Sequence, residues 1–115
     1  MKKILSFTFI LLLYSSYHAQ TASELFEGKN YEALVKLESK SDKLTPEDLF
    51  KVGYAFFQLE NDLQAISFYD KAISKGFDSA YVYYFKGIAL RYNQQYDASI
   101  QAFDIALKKD PSNQK

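Results

Sequence analysis

A chain of 115 residues that is 48% hydrophobic and 24% charged has room for one small folded domain and is too apolar for disorder. Fourteen basic residues balance fourteen acidic ones, so no net field draws in nucleic acid or an anionic membrane surface. Cysteine is absent, which excludes disulfides, thiolate catalysis and Cys-zinc sites while leaving the compartment open.

Residues 1–19 read as a secretory signal: Lys2 and Lys3 form a positive start, Ile4–Tyr14 an apolar run, and Ala19 and Ala22 are candidate cleavage points. The run is shorter than the roughly 20 apolar residues that a spanning helix needs. The Ala-Gln step resembles the end of known signal peptides and favours cleavage between Ala19 and Gln20. The expectation is an exported chain, periplasmic or secreted, with no stable membrane insertion after cleavage; an uncleaved segment would instead be a membrane anchor. Cleavage removes Lys2, Lys3 and His18, leaving 12 basic against 14 acidic residues and no histidine.

Residues 20–45 predict a degenerate helical hairpin acting as an N-terminal cap: a short helix at Ala22–Glu27, then a second within Gly28–Ser39. Thr45-Pro46-Glu47-Asp48 marks the next start, with Thr45 as N-cap, Pro46 at the first helical position, and two carboxylates near the positive end of the dipole. Asn61 caps another helix, with Gln64 placed to complete a capping box. Gly76 suits a left-handed stop, Asp78 or Ser79 caps the following helix, Asn93-Gln94-Gln95 is a turn, and Pro111 follows the last helix. Between these marks lie segments of ordinary helix length. Ala65, Ile66, Tyr69, Ala72 and Ile73, and then Ser99, Ile100, Phe103, Ala106 and Leu107, follow the i, i+1, i+4, i+7, i+8 spacing of one helix face.

Asp62–Ser79 and Tyr96–Asn113 are nearly the same text written thirty-four positions apart. Gly53 and Ala55 recur as Gly87 and Ala89, and Ile66, Asp70, Ala72 and Lys75 as Ile100, Asp104, Ala106 and Lys109. Small residues at fixed places let helix backbones approach while large neighbours fill the remaining space. Each copy is therefore expected to be a helical hairpin, and the copies to stack.

These residues resemble the tetratricopeptide repeat, whose period is 34 and whose pattern runs W-L-G-Y, then A, F, A and P. The pattern falls on Leu49, Val52, Gly53, Phe56, Ala65, Tyr69 and Ala72 in the copy at 46–79, and on Tyr83, Lys86, Gly87, Leu90, Ser99, Phe103, Ala106 and Pro111 in the copy at 80–113. Departures are Lys86 at an apolar position, Ser99 for alanine and Phe77 for proline. The resemblance implies an all-α fold of antiparallel helical hairpins stacked as a short right-handed superhelix, an α-solenoid. Two and a half repeats make a short array, and Lys108-Lys109-Asp110-Pro111 stands where another repeat would begin; a complete short protein and a piece of a longer one both fit.

Little here points to catalysis. Without cysteine or a mature histidine, the common nucleophile and base pairs and most transition-metal sites are missing. Glu47/Asp48 and Asp62 sit at helix starts, where they complement dipoles, and no glycines cluster into a phosphate loop. A non-enzymatic chain with no cofactor and no metal is expected.

Ten Tyr and ten Phe are the informative feature. The family resemblance implies a concave groove lined through repeat positions 2, 5, 9 and 12, here Glu47, Phe50, Tyr54 and Phe57, then Tyr81, Tyr84, Ile88 and Arg91, with Tyr92 alongside. Tyrosine and arginine are enriched at binding hot spots, and Arg91, the single arginine, can hold a carboxylate bidentately. Some of these rings, Phe50 and Phe57 above all, are also suited to core or cap packing. The clamp that grips acidic chaperone C-termini carries lysine and asparagine at positions 5 and 9, so Phe50/Tyr54 and Tyr84/Ile88 disfavour that specificity. The expected role is an exported protein-interaction module or scaffold taking a peptide or helix in its aromatic groove. A carbohydrate-binding element, and a structural or self-associating segment of a longer repeat protein, are the alternatives.

Overall fold

A computed structural model of the chain describes residues 20–114. The expected signal segment at 1–19 lies outside the described residues. Among the described residues there is no strand, and no helix is long and apolar enough to cross a membrane.

Helix α1 (Ala22–Glu27) opens with a reciprocal capping box, the Thr21 hydroxyl accepting from the Glu24 N–H at 3.2 Å while Glu24 accepts from the Thr21 N–H. Helix α2 (Tyr31–Val35) is capped by Asn30 and runs into an irregular 3₁₀ segment, Lys36–Lys43, that bends at Lys40. Thr45 then caps α3 (Pro46–Gln58), accepting from the Asp48 N–H at 3.1 Å as expected. Asn61 caps α4 (Asp62–Ser74) through the Gln64 N–H at 3.3 Å. After α4 the chain wraps back on itself: the Phe77 N–H donates to the Ala72 carbonyl at 2.9 Å while Gly76 takes φ +111°, a conformation that only glycine adopts without strain. Helices α5 (Ala80–Tyr92) and α6 (Tyr96–Lys109) complete the second full hairpin, and a 3₁₀ turn, Pro111–Gln114, follows.

One expected cap is corrected. Ser79 occupies the N-cap position of α5, but its side chain makes no capping bond and its hydroxyl is buried without a partner. Asp78 is engaged elsewhere, 3.1 Å from Lys109 Nζ at the end of α6.

All three hairpins turn in the same way. Lys29, Glu60 and Gln94 each take a left-handed φ near +60°, and the next residue's N–H closes the turn on the carbonyl of Leu25, Phe56 or Leu90 at 2.8–2.9 Å.

The small residues mark helix crossings, as expected. Ala65 and Ala72 are 0% exposed and Ala106 is 3%. A Cβ on Gly53 would lie 2.9 Å from the Tyr69 ring, and one on Gly87 would lie 2.7 Å from the Phe103 ring. Each glycine thus seats a ring of its own hairpin directly on the helix backbone. The two departures from the repeat pattern also find partners. Ser99 is buried and donates to the Gly87 carbonyl at 2.7 Å. Lys86 reaches back from α5 to Asp70 on α4 at 2.6 Å, joining the two full hairpins.

Candidate functional site

Helices α3 and α5 lie side by side, joined by aromatic pairs along their length. Phe50 meets Tyr81 at 5.2 Å, Tyr54 meets Phe85 at 5.4 Å and Phe57 meets Tyr92 at 5.5 Å. Edge-to-face and tilted pairs of this kind each contribute about 0.5–1.5 kcal/mol beyond area burial. The ladder therefore also sets the spacing of the two helices.

The seven groove residues divide by depth. Phe50 is only 3% exposed and lies under the surface, packed by Tyr69, Phe77, Tyr81 and Phe85. Tyr54 is half-buried because α1 and α2 lean on it: Phe26 stands 5.3 Å away edge-on and Tyr31 5.9 Å away. Burial pushes the Tyr54 hydroxyl above its ordinary range, and Tyr31 adds to the shift by its charge and a shared hydrogen bond, against an opposing pull from Lys29. Phe57 and Ile88 are half-buried. Tyr81 and Tyr84 are 52% and 44% exposed. Arg91 is exposed, with its guanidinium carbon 5.7 Å from the Tyr92 ring, itself 62% exposed.

The exposed members share one helix. Tyr81, Tyr84, Ile88 and Arg91, with Tyr92, recur at helical spacing along a single stripe of α5. The α3 residues serve as its floor and flank. Glu47, at the start of α3, is exposed.

The groove assignment missed Phe85, which touches Phe50, Tyr54, Tyr81 and Tyr84 and is the hub of the ring cluster. A signal was present, since Phe85 lies four residues after Tyr81 and three before Ile88, inside the same stripe. Phe26 and Tyr31 were also missed. They reach Tyr54 only through tertiary packing, and no local spacing announces them.

Two recesses border the stripe. One, of about 440 Å³, is lined by Tyr81, Tyr84 and Phe85 of α5 with Phe103, Ala106 and Leu107 of α6. The other, of about 380 Å³, lies between Phe57, Gln58, Glu60, Asp62 and Tyr92. Among the described residues no three His, Cys, Asp or Glu side chains converge to hold a metal ion.

A family model described as tetratricopeptide repeat matches residues 80–113, which span α5, α6 and the turns that bound them. No curated protein matches the chain. The chain thus carries a tetratricopeptide repeat, and its all-α stack of hairpins is the architecture that such repeats build. The repeat supports a general role in protein–protein interaction, and repeats of this kind are typically non-catalytic.

Proposed function

We propose that the aromatic stripe of α5 is the surface with which this chain binds a protein partner, taking an extended peptide or a helix along Tyr81, Tyr84, Ile88, Arg91 and Tyr92, with Phe57 at its flank. The observation that carries the reading is the exposure of three tyrosines on one helix, 52% for Tyr81, 44% for Tyr84 and 62% for Tyr92, beside the only arginine. Tyrosine supplies a large rigid apolar face at low entropic cost, and its hydroxyl stays hydrated in the unbound state. Arginine adds a planar donor fork for a partner carboxylate.

The floor beneath the stripe is preorganised. Phe50 and Phe85 are held in the ring ladder, so a ligand would not have to order them, and binding loses less free energy to side-chain immobilisation. An exported location, drawn from the leader-like residues 1–19, belongs to the same proposal.

The test begins with panning displayed random peptides on the folded chain. Enriched sequences are then titrated against the parent protein, Arg91→Ala and Tyr92→Ala. Both side chains are exposed, so truncation should leave the fold intact. The expected result is affinity lowered at least about tenfold by one of them, the size of a hot-spot effect. Unchanged affinity in both variants overturns the assignment, and so does enrichment of glycans rather than peptides on a parallel array.

A further inference from the structure

The thirty-four-residue step gives each residue of the α3–α4 hairpin a counterpart in the α5–α6 hairpin, and the surroundings of the two differ on one face. In the first hairpin Phe50, Tyr69 and Ala72 are 3%, 0% and 0% exposed, because the second hairpin lies on them. Phe77, Tyr81 and Phe85 bring their rings within 5.5, 5.2 and 5.8 Å of Phe50. The ion pair of Lys86 with Asp70 fastens the same seam at 2.6 Å.

The counterparts of Phe50, Tyr69 and Ala72 are Tyr84, Phe103 and Ala106. Here the face is open. Tyr84 is 44% exposed, Phe103 is half-buried, and together with Tyr81, Phe85, Ala106 and Leu107 they line the recess of about 440 Å³. Position 111, the counterpart of Phe77, carries the smaller, exposed Pro111. Asp104, the counterpart of Asp70, is exposed, and among the described residues no cation lies within ion-pair distance of it.

We propose that this recess is a second binding surface, which receives an amphipathic helix of a partner protein carrying two aromatic residues four apart and a lysine directly after the second. The pattern is that of Tyr81, Phe85 and Lys86, the residues that close the equivalent face one repeat earlier. The two rings fill the recess over Phe103 and Leu107, and the lysine meets Asp104. The surface continues the seam between the two hairpins, so its geometry for a helix is already demonstrated once within the molecule. This goes beyond the α5 stripe, since Phe103, Asp104 and Leu107 belong to α6 and form no part of it.

The chain supplies its own probe. A labelled peptide of residues 76–92, GFDSAYVYYFKGIALRY, is titrated against the full chain, against Leu107→Asp and against Asp104→Lys. Leu107 is half-buried and Asp104 fully exposed on the helix surface, and circular dichroism checks that each variant stays helical. The expected result is saturable binding that Leu107→Asp weakens at least about tenfold and that Asp104→Lys also weakens. A peptide with Lys86→Asp should regain binding to Asp104→Lys, a charge-swap rescue that general destabilisation cannot produce. Arg91→Ala and Tyr92→Ala should leave peptide binding unchanged, which separates this surface from the α5 stripe.

Absence of saturable binding overturns the proposal. So does binding indifferent to Leu107→Asp and Asp104→Lys, which would place the peptide elsewhere, for example in exchange with α5 on the first hairpin. Should Leu107→Asp fail to fold, the charge-swap pair alone decides the outcome. Self-association of the chain that Leu107→Asp abolishes would name a second copy as the occupant and overturn the commitment to a foreign helix.

Discussion

Tyr69 shows how a single residue balances opposing terms. Its ring sits on the Gly53 backbone and stacks on Phe50 at 5.5 Å, and it is wholly buried, yet its hydroxyl has no hydrogen-bond partner. Burial raises its ionisation far beyond the ordinary phenol range, with Tyr54 and Tyr81 adding to the shift, so the group stays neutral at any pH at which the protein folds. An unmet buried polar group costs about 1–3 kcal/mol. Tyr69→Phe keeps the ring and removes the hydroxyl, and should raise stability by about 1 kcal/mol in urea unfolding. Glycine gives a sharper contrast. A Cβ at Gly53 meets the Tyr69 ring at 2.9 Å, where that ring is locked on every side; one at Gly87 meets Phe103 at 2.7 Å, where the ring borders an open recess. Overpacking typically costs about 1–3 kcal/mol, against a gain of up to about 1 kcal/mol in helix propensity for alanine. Gly53→Ala should therefore destabilise by about 2 kcal/mol and Gly87→Ala by well under half of that. Equal losses would mean that the recess gives Phe103 no room to move.

At the scale of elements, hairpin boundaries were readable because capping and turn chemistry act within a few residues. Thr45, Asn61 and Gly76 do locally what their types predict. Ser79 escaped for the opposite reason. Whether Asp78 or Ser79 caps α5 depends on what else is near, and a lysine thirty-one positions on decides it. Asp78 lies by Lys109 at 3.1 Å and accepts from the Tyr83 hydroxyl, while Lys109 Nζ also sits 5.5 Å from the Tyr83 ring. This trio ties the end of α6 to the loop before α5. The hydrogen bond from Tyr83, and then Lys109, hold the Asp78 carboxyl below its ordinary value. A depressed carboxylate contributes stability that is present above its unfolded pKa and lost as pH falls through the folded one. The Tm difference between the parent chain and Asp78→Asn should thus be measurable at neutral pH and vanish below the usual carboxylate range of about 4. A difference that persists undiminished into acid would show that the trio is held by packing alone.

Across the whole molecule, the thirty-four-residue step made the hairpins and their stacking legible, since it needs only the recurrence of small residues such as Ala72 and Ala106. The candidate site was legible only in part. Repeat positions picked out Tyr81, Tyr84 and Arg91, which are exposed, but placed Phe50 beside them although it is buried. The same position differs between copies because Phe50 has a neighbouring hairpin upon it and Tyr84 does not, and no property of either residue alone encodes that. The N-terminal hairpin was harder still: α1 and α2 are short, yet Leu25 and Leu34 are 7% and 0% exposed within one core that includes Leu49 and Val52. In a linear stack each hairpin is stabilised chiefly by its neighbours, so α1 and α2 should behave as structural necessities for α3. Leu34→Ala removes a fully buried side chain and is expected to cost about 2–5 kcal/mol, a large share of the roughly 5–15 kcal/mol available to a small domain. Leu63→Ala, at a leucine that is 65% exposed, provides the comparison and should change stability by less than about 0.5 kcal/mol. Urea midpoints for the two variants check this directly. If Leu34→Ala shifts the midpoint no more than Leu63→Ala does, the short hairpin merely rests on the stack, and Tyr54 owes its burial to something other than a cooperative core.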